Sequence, residues 1–337
     1  MIDDKGHPVP WQSANHVLLP HYNLGDPKES PCLALVKYSS ENSYINLEDD
    51  VLVFSIPSQG NHCTEYWRSD LRSDSVNKKS GRFANGAWTS DGDNLFIAAY
   101  LEDRDILTDS VQALYEGVLR LVEAQGYRSI YRIWNYIGKI NEANSQGLER
   151  YRDFSQGRAI AFSDFGYSLD DLPAATAIGF GDGGLAVFLI AHKEALTVNL
   201  ENPRQIPAFR YPTQYGPRSP SFARATMLHQ RDRAILYVSG TASIIGHESI
   251  VSDLQTQIDN TKDNIEIIID RARSEHEFER WSIQSLKVYY RDVLDLNYVR
   301  PAVLNAFALA ETNVVFMRAD ICRSELDLEI EGIIEFF

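Results

Sequence analysis

Cysteine is scarce. Cys32, Cys63 and Cys322 are the only three in 337 residues, too few and too scattered for a disulfide framework or a metal knuckle. That usage fits a reducing, cytoplasmic setting. The eight histidines show neither HxH nor HExxH spacing, so no motif suggests a metal centre. No run approaches the ~20 apolar residues needed to span a bilayer. The opening MIDDKGHPVPWQSANH also lacks the apolar stretch of a signal peptide. Basic residues are outnumbered, 32 Lys and Arg against 47 Asp and Glu, giving a formal net charge of -15. Nucleic acids and anionic membranes therefore have no electrostatic reason to approach, although a few arginines can still build a local pocket for a small anion. The nucleotide loops GxxxxGK[ST] and GxGxxG, and the nucleophile elbow, are all missing. The one glycine-rich run, GFGDGG, reads better as a tight hairpin turn.

What is present is an ordinary globular composition, 44% hydrophobic and 23% charged, with length for about two domains. Residues 1–90 read as short strands (CLALVKYS, VLVFSIPS, CTEYWRS) around a polar loop, SDSVNKKSGRFANG, with no convincing helix. A more regular order follows. NLFIAAYLED is a strand, and DSVQALYEGVLRLVEAQG is a helix capped by Asp109 or Ser110, with Val111, Leu114, Tyr115, Val118, Leu119 and Val122 at helical spacing. YRSIYRIWNYIG is a strand, SQGLERYRDFSQGRAIAF a helix, and ATAIGFGDGGLAVFLIAH a hairpin. The second half repeats this order. AILYVSGTASI is a strand, and a helix starting near His247 carries Val251, Leu254, Ile258, Ile265 and Ile268. IQSLKVYYRD, LNYVRPAVLNAFALAE and a closing hairpin, NVVFMRADICRSELDLEIEGII, complete it. Both offsets are about 140 residues, the mark of a duplicated β-α-β-α-β-β unit. The expected segments are 1–90, a first unit 91–200, a Pro/Arg/Tyr-rich loop 201–226 and a second unit 227–337.

Three features bear on chemistry. The loop ENPRQIPAFRYPTQYGPRSPSFARAT is dense in arginine and tyrosine, donors that hold carboxylates. In GLERYRDFSQGRAIAF, surface pairing with Glu149 and Asp153 accounts for Arg150 and Arg152, whereas Arg158 has no local partner and is the better anion ligand. In the last strand Leu326, Leu328 and Ile330 alternate with Asp327, Glu329 and Glu331. Laying Leu185, Val187 and Leu189 on Leu326, Leu328 and Ile330 puts Phe188 on Glu329, so that face suits an enclosed interior better than solvent. Cys322 alone reads as an inert core thiol.

The second unit resembles the Rid (YjgF-like) superfold through VSGTAS and the closing LEIEGI. More specifically, YRIWNYIGKINEANSQGLERYRDFSQGRAIAF, LPAATAIG, FRYPTQYGPRSPSFARAT, VSGTASIIGHE and ADICRSELDLEIEG together resemble the chorismatases, over residues 60–334. Gly138 and Ser155 depart from the proline and cysteine of many members, at positions expected to lie off the chemistry.

The resemblance implies an α+β fold of tandem Rid-like units, with helices on one face of mixed sheets. It also implies cofactor-independent cleavage of the enolpyruvyl ether of chorismate. The expected partner is that small molecule alone, with no nucleic acid and no membrane, in a monomer whose units can close a pseudo-trimer. Glu329 matches the family's catalytic glutamate, seven residues after Cys322, with Asp327 and Glu331 expected to raise its pKa. Substrate carboxylates fall to Arg158, Arg218, Arg224 and Arg318, with Tyr211 and Tyr215 beside them. Cys322 resembles the members that form 3-hydroxybenzoate, whereas Ala242 agrees less well with them than a glycine would. Hydrolysis to 3,4-dihydroxycyclohexa-1,5-diene-1-carboxylate and formation of 4-hydroxybenzoate stay open as product alternatives. An enamine deaminase and a non-enzymatic binder are the other classes.

Overall fold

Branched and aromatic residues at alternate positions dominate the first hundred residues, and strands follow. The computed structural model describes residues 17–22, 32–39, 42–58, 60, 62–69, 78–181, 183–230 and 233–337. The opening MIDDKGHPVPWQSANH lies outside that range. Strands β1 (Leu18–Tyr22), β2 (Cys32–Ser39), β3 (Tyr44–Glu48), β4 (Val51–Pro57) and β5 (Cys63–Ser69) form a sheet in the order β1-β5-β2-β4-β3. The segment read as a polar loop is partly a hairpin, β6 (Lys79–Phe83) with β7 (Gly86–Ser90), which joins the second sheet rather than the first. Residues 73–77 of that segment are outside the described range.

The second sheet grows from β8 (Asn94–Leu101), α1 (Thr108–Ala124), β9 (Ser129–Ile137), α2 (Arg150–Asp164), β10 (Ala174–Gly179) and β11 (Leu185–His192). The third contains β12 (Thr197–Leu200), β13 (Ala225–His229) and β14 (Ala234–Thr241). A two-strand ribbon, β15 (Ile244–Ile245) with β16 (Glu248–Ser249), precedes α3 (Leu254–Glu275). Then come β17 (Trp281–Tyr290), α4 (Leu296–Phe307), β18 (Val314–Arg318), β19 (Asp320–Ile321) and β20 (Leu328–Phe336). In the second sheet β9 and β10 are parallel, and β11 runs antiparallel between β9 and β8. In the third, β17 and β18 are parallel, and β20 runs antiparallel between β17 and β14. The same connectivity therefore occurs twice, as the duplicated α+β unit requires.

Neither expected hairpin forms. β9 separates β10 from β11, and β17 separates β18 from β20. Each turn instead carries the chain across a strand, which local alternation cannot distinguish from a simple reversal. Helix starts differ as well. The first turn of α1 is capped by neither Asp109 nor Ser110: the Asp153 carboxylate, from α2, accepts the Leu107 and Thr108 amides at 2.7 and 2.9 Å. α3 begins only at Leu254, with Asp253 accepting the Thr256 amide, and leaves Val251 64% exposed outside it.

Helices α1 and α2 cover one face of the second sheet, and α3 and α4 one face of the third. The other faces of both sheets turn inward with the first sheet on a shared core, where Phe188 stacks with Phe96 and Trp134 and Trp67 meets Trp134 edge-on. One crossing positions the site. β19 leaves the second unit and pairs with β10, Ile321 opposite Ile178, and so holds Cys322 over the seam between the units.

Candidate active site

Strand periodicity aims the two central carboxylates inward. Leu328, Ile330 and Ile334 pack under α3 and α4, so the alternate positions Glu329 and Glu331 face the interior at 4% and 5% exposure. Phe188 is fully buried on the corresponding face of β11, so the enclosed face read from the sequence is present in both units. Beside Glu329, β14 carries a bulge between Val238 and Thr241, which lifts Ser239 and Gly240 out of regular pairing. A side chain at Gly240 would put its Cβ 1.9 Å from a Glu329 carboxylate oxygen. Only the absence of a side chain leaves the carboxyl room.

The two glutamates live in opposite environments. Glu329 meets one hydrogen-bond partner among the described residues, the Cys322 thiol, with Sγ 3.7 Å from Oε2. Burial first, and then the charge of Glu331, push its carboxyl up to about 8. Burial and Glu329 likewise push the Cys322 thiol well above its ordinary value, keeping it neutral. Glu331 instead accepts from Arg132 at 2.7 Å, Trp134 at 2.7 Å and Thr176 at 2.5 Å, with the Lys287 ammonium at 3.2 Å. Burial opposes its charge, but Lys287 and Arg132 outweigh it and hold the carboxyl below the usual value. Asp327 takes no part, because its carboxylate turns to Gln257 of α3 at 2.8 Å.

Glu329 forms the floor of a cleft with two lobes. The inner lobe, about 420 Å³, is lined by Asn135, Ser155, Arg158, Thr176 and Gly240. The outer lobe, about 750 Å³, is lined by Tyr211, Tyr215, Arg224, Ala242 and Arg323. Glu329, Cys322 and Tyr151 border both. Each lobe holds arginine with donors to spare. Arg158 gives one amino group to the Ser221 carbonyl and lies over Phe162, while its Nε and Nη2 have no hydrogen-bond partner among the described residues. Arg224 donates to Tyr211 at 2.8 Å and to the Ile206 carbonyl at 2.9 Å. Arg323 lies over Tyr215, donates to the His247 carbonyl at 2.8 Å, and buries Nη2 without a partner among the described residues. Buried guanidinium donors without acceptors are costly unless a ligand supplies the acceptor.

The structure thus brings Glu329, Cys322, Arg158, Tyr211, Tyr215, Arg224 and Ala242 to one cleft. It leaves two expected ligands elsewhere. Arg218 is solvent-exposed and lines neither lobe. Arg318, its side chain 44% exposed, pairs with Asp292 at the end of β18. Arg150, read as a surface partner, is buried and donates to the Gly138 and Arg104 carbonyls and to Asp103. Ser155, expected off the chemistry, lines the inner lobe. Arg323, Thr176, Gly240 and Asn135 went unmarked in the sequence; the small-residue run SGTAS was the one signal near them. Among the described residues no group of three His, Cys, Asp or Glu converges as a metal would need.

Residues 65–191 match the family model described as chorismatase FkbO/Hyg5-like, N-terminal. A 3-hydroxybenzoate synthase of Streptomyces hygroscopicus is 36% identical, over 90% of this chain and 91% of its own. A chorismatase of Streptomyces rapamycinicus is 37% identical, over 76% of this chain and 79% of its own. A solved chorismatase structure superposes with a TM-score of 0.86 at 32% identity, covering 94% of this chain and 98% of the other.

Proposed function

The chain belongs to the chorismatase family, and on that premise we propose that it cleaves chorismate to pyruvate and 3-hydroxybenzoate, with Glu329 as the proton donor. The observation that carries this reading is a buried carboxyl whose one hydrogen-bond partner among the described residues is a thiol, on the floor of an arginine-bearing cleft; burial pushes that carboxyl toward its acid form. Chorismate offers two carboxylates to such arginines and an electron-rich enol methylene to such an acid.

Arg158 in the inner lobe and Arg224 with Arg323 in the outer lobe hold the two carboxylates, fixing the enolpyruvyl group over Glu329. Glu329 delivers its proton to the methylene carbon, which becomes a methyl group and leaves an oxocarbenium centre. The ring hydroxyl captures that centre and closes a cyclic ketal, releasing its own proton. Loss of the proton on the ether-bearing ring carbon then breaks the neighbouring ring carbon–oxygen bond. The ring becomes aromatic, and the remaining hemiketal collapses to pyruvate and 3-hydroxybenzoate. A proton returns to Glu329, and the two products together contain the atoms of chorismate, with no water consumed.

Cys322 favours this route over hydrolysis. Its neutral thiol occupies the space beside Glu329 that an attacking water would need. Ala242 at the outer lobe agrees less well with 3-hydroxybenzoate formation than a glycine would, which keeps the hydrolytic alternative open. Incubation with chorismate, with pyruvate followed enzymatically and the aromatic fraction resolved by chromatography, tests both points. Absence of pyruvate overturns the reaction; pyruvate with the dihydroxycyclohexadiene acid in place of 3-hydroxybenzoate overturns the product.

A further inference from the structure

Behind Glu329 lies a buried ionic cluster to which all three sheets contribute and of which Thr176 also lines the inner lobe of the cleft. Glu65 comes from β5 of the first sheet, Arg132, Trp134 and Thr176 from the second, and Lys287 and Glu331 from the third. Lys287 binds Glu65 at 2.5 Å and Glu331 at 3.2 Å. Glu65 also accepts from Tyr38 at 3.0 Å and Trp67 at 3.1 Å. Among the described residues the Glu331 carboxylate is met by Arg132, Trp134 and Lys287, which can only donate, and by the Thr176 hydroxyl, whose two lone pairs are already taken by Arg132 and the Gly240 amide, so the geometry favours the ionised form. Thr176 links the cluster to the site. Its hydroxyl donates to Glu331, accepts from Arg132 at 2.5 Å and accepts the Gly240 amide at 2.9 Å. Gly240 is the residue against which Glu329 packs.

Building on the proposed acid role of Glu329, we infer that Glu331 is a positioning residue: a permanent buried anion, fixed by donors from two sheets, that keeps the neighbouring Glu329 protonated for delivery. The arrangement has the form of paired carboxylates driven apart, one permanently ionised and the other permanently poised to donate. Other charged and titratable groups around Glu329 are Cys322 after β19, Tyr151 of α2, Tyr289 opposite it on β17, Arg132 of β9, Arg224 before β13, and Arg158 and Arg323 in the cleft. Glu331 and burial favour the acid form, whereas Arg132 and Arg224 oppose it. Glu65 has its own task. It offsets Lys287, so that Arg132 and Lys287 do not together present a surplus of positive charge that would ionise Glu329.

The test uses the full chain and two readouts. In Glu331→Gln the alkaline fall of kcat/KM for chorismate should move down by about one pH unit, with activity at neutral pH about twofold lower and KM changed less than threefold. Because breaking a buried pair can unfold a protein, Glu331→Gln/Lys287→Met serves as the charge-balanced version and should shift the profile the same way. Lowered activity with an unmoved pH profile in the folded variants would reduce Glu331 to a structural part and overturn the inference. Carbon-13 carboxyl NMR, with the Glu329 signal assigned by its loss in Glu329→Gln, gives the same answer without turnover. A Glu329 midpoint that falls in Glu331→Gln supports the inference even if chorismate proves not to be the substrate. An unmoved midpoint overturns it even if chorismate is cleaved.

Discussion

Gly240→Ala isolates what the position of the Glu329 carboxyl contributes. The backbone there lies outside the left-handed region, so alanine meets no conformational penalty and the perturbation is purely steric. The new Cβ would stand 1.9 Å from Oε1 of Glu329, where real contacts essentially never fall below 3.0 Å. The carboxyl must therefore retreat by at least about 1 Å, a displacement that can cost ~100-fold in rate when near-attack geometry is lost. Retreat is confined by Cys322 on one side and the methyl of Thr176, itself 3.2 Å from the new Cβ, on the other. The charge of Glu331 and the arginines of the cleft are untouched. Steady-state kinetics should show kcat lowered about 100-fold with KM within threefold, while Tm drops by only a few degrees. A folded Gly240→Ala protein with parental kcat would refute the placement of Glu329 as the proton donor.

Three further outcomes follow from the same geometry. Glu329→Gln should abolish pyruvate release yet melt several degrees above the parent at pH 8: the folded carboxyl binds its proton up to about 8 and the unfolded one only to about 4.5, so the parent loses stability as pH rises between those values. Differential scanning calorimetry should find that gap shrinking toward pH 5, and a gap that widens on acidification contradicts the raised carboxyl. Arg323→Ala should raise KM about 10–100-fold, the worth of a charge-assisted contact of ~1.5–3 kcal/mol, whereas Arg218→Ala and Arg318→Ala should stay within twofold of the parent in kinetics. Cys322→Ala should open the space beside Glu329 to water and divert product toward the dihydroxycyclohexadiene acid, read by chromatography; an unchanged product ratio removes the thiol from product control.

The sequence disclosed what depends on period and missed what depends on which strands become neighbours. Alternation identified the inward face of β20, and the overlay of Phe188 on Glu329 marked that face as enclosed, because both facts are local to one strand. The stripe on α1 matched all six buried residues for the same reason. Hairpins were misread because a chain reversal and a crossing over an intervening strand have the same local signature, and only the sheet order separates them. Arg318 and Arg323 are five residues apart in a run where either could face the cleft; the β19 pairing with β10 turns Arg323 inward and leaves Arg318 at a strand end beside Asp292.

The ionic cluster was the least legible part, for a physical reason. Lys287 stands between Leu286 and Val288, and Glu65 between Thr64 and Tyr66, which on single strands reads as a polar outer face. Each would indeed be solvated if its sheet stood alone. Here three sheets turn those faces toward one another, and a charge that looks exposed becomes buried. Such a group persists only if its counter-charge arrives from another sheet, so Glu65, Lys287, Glu331 and Arg132 form one unit that no single segment encodes. Pairing two cations with two carboxylates leaves Glu329 outside the cluster, the buried carboxyl to which the proposed reaction assigns the proton.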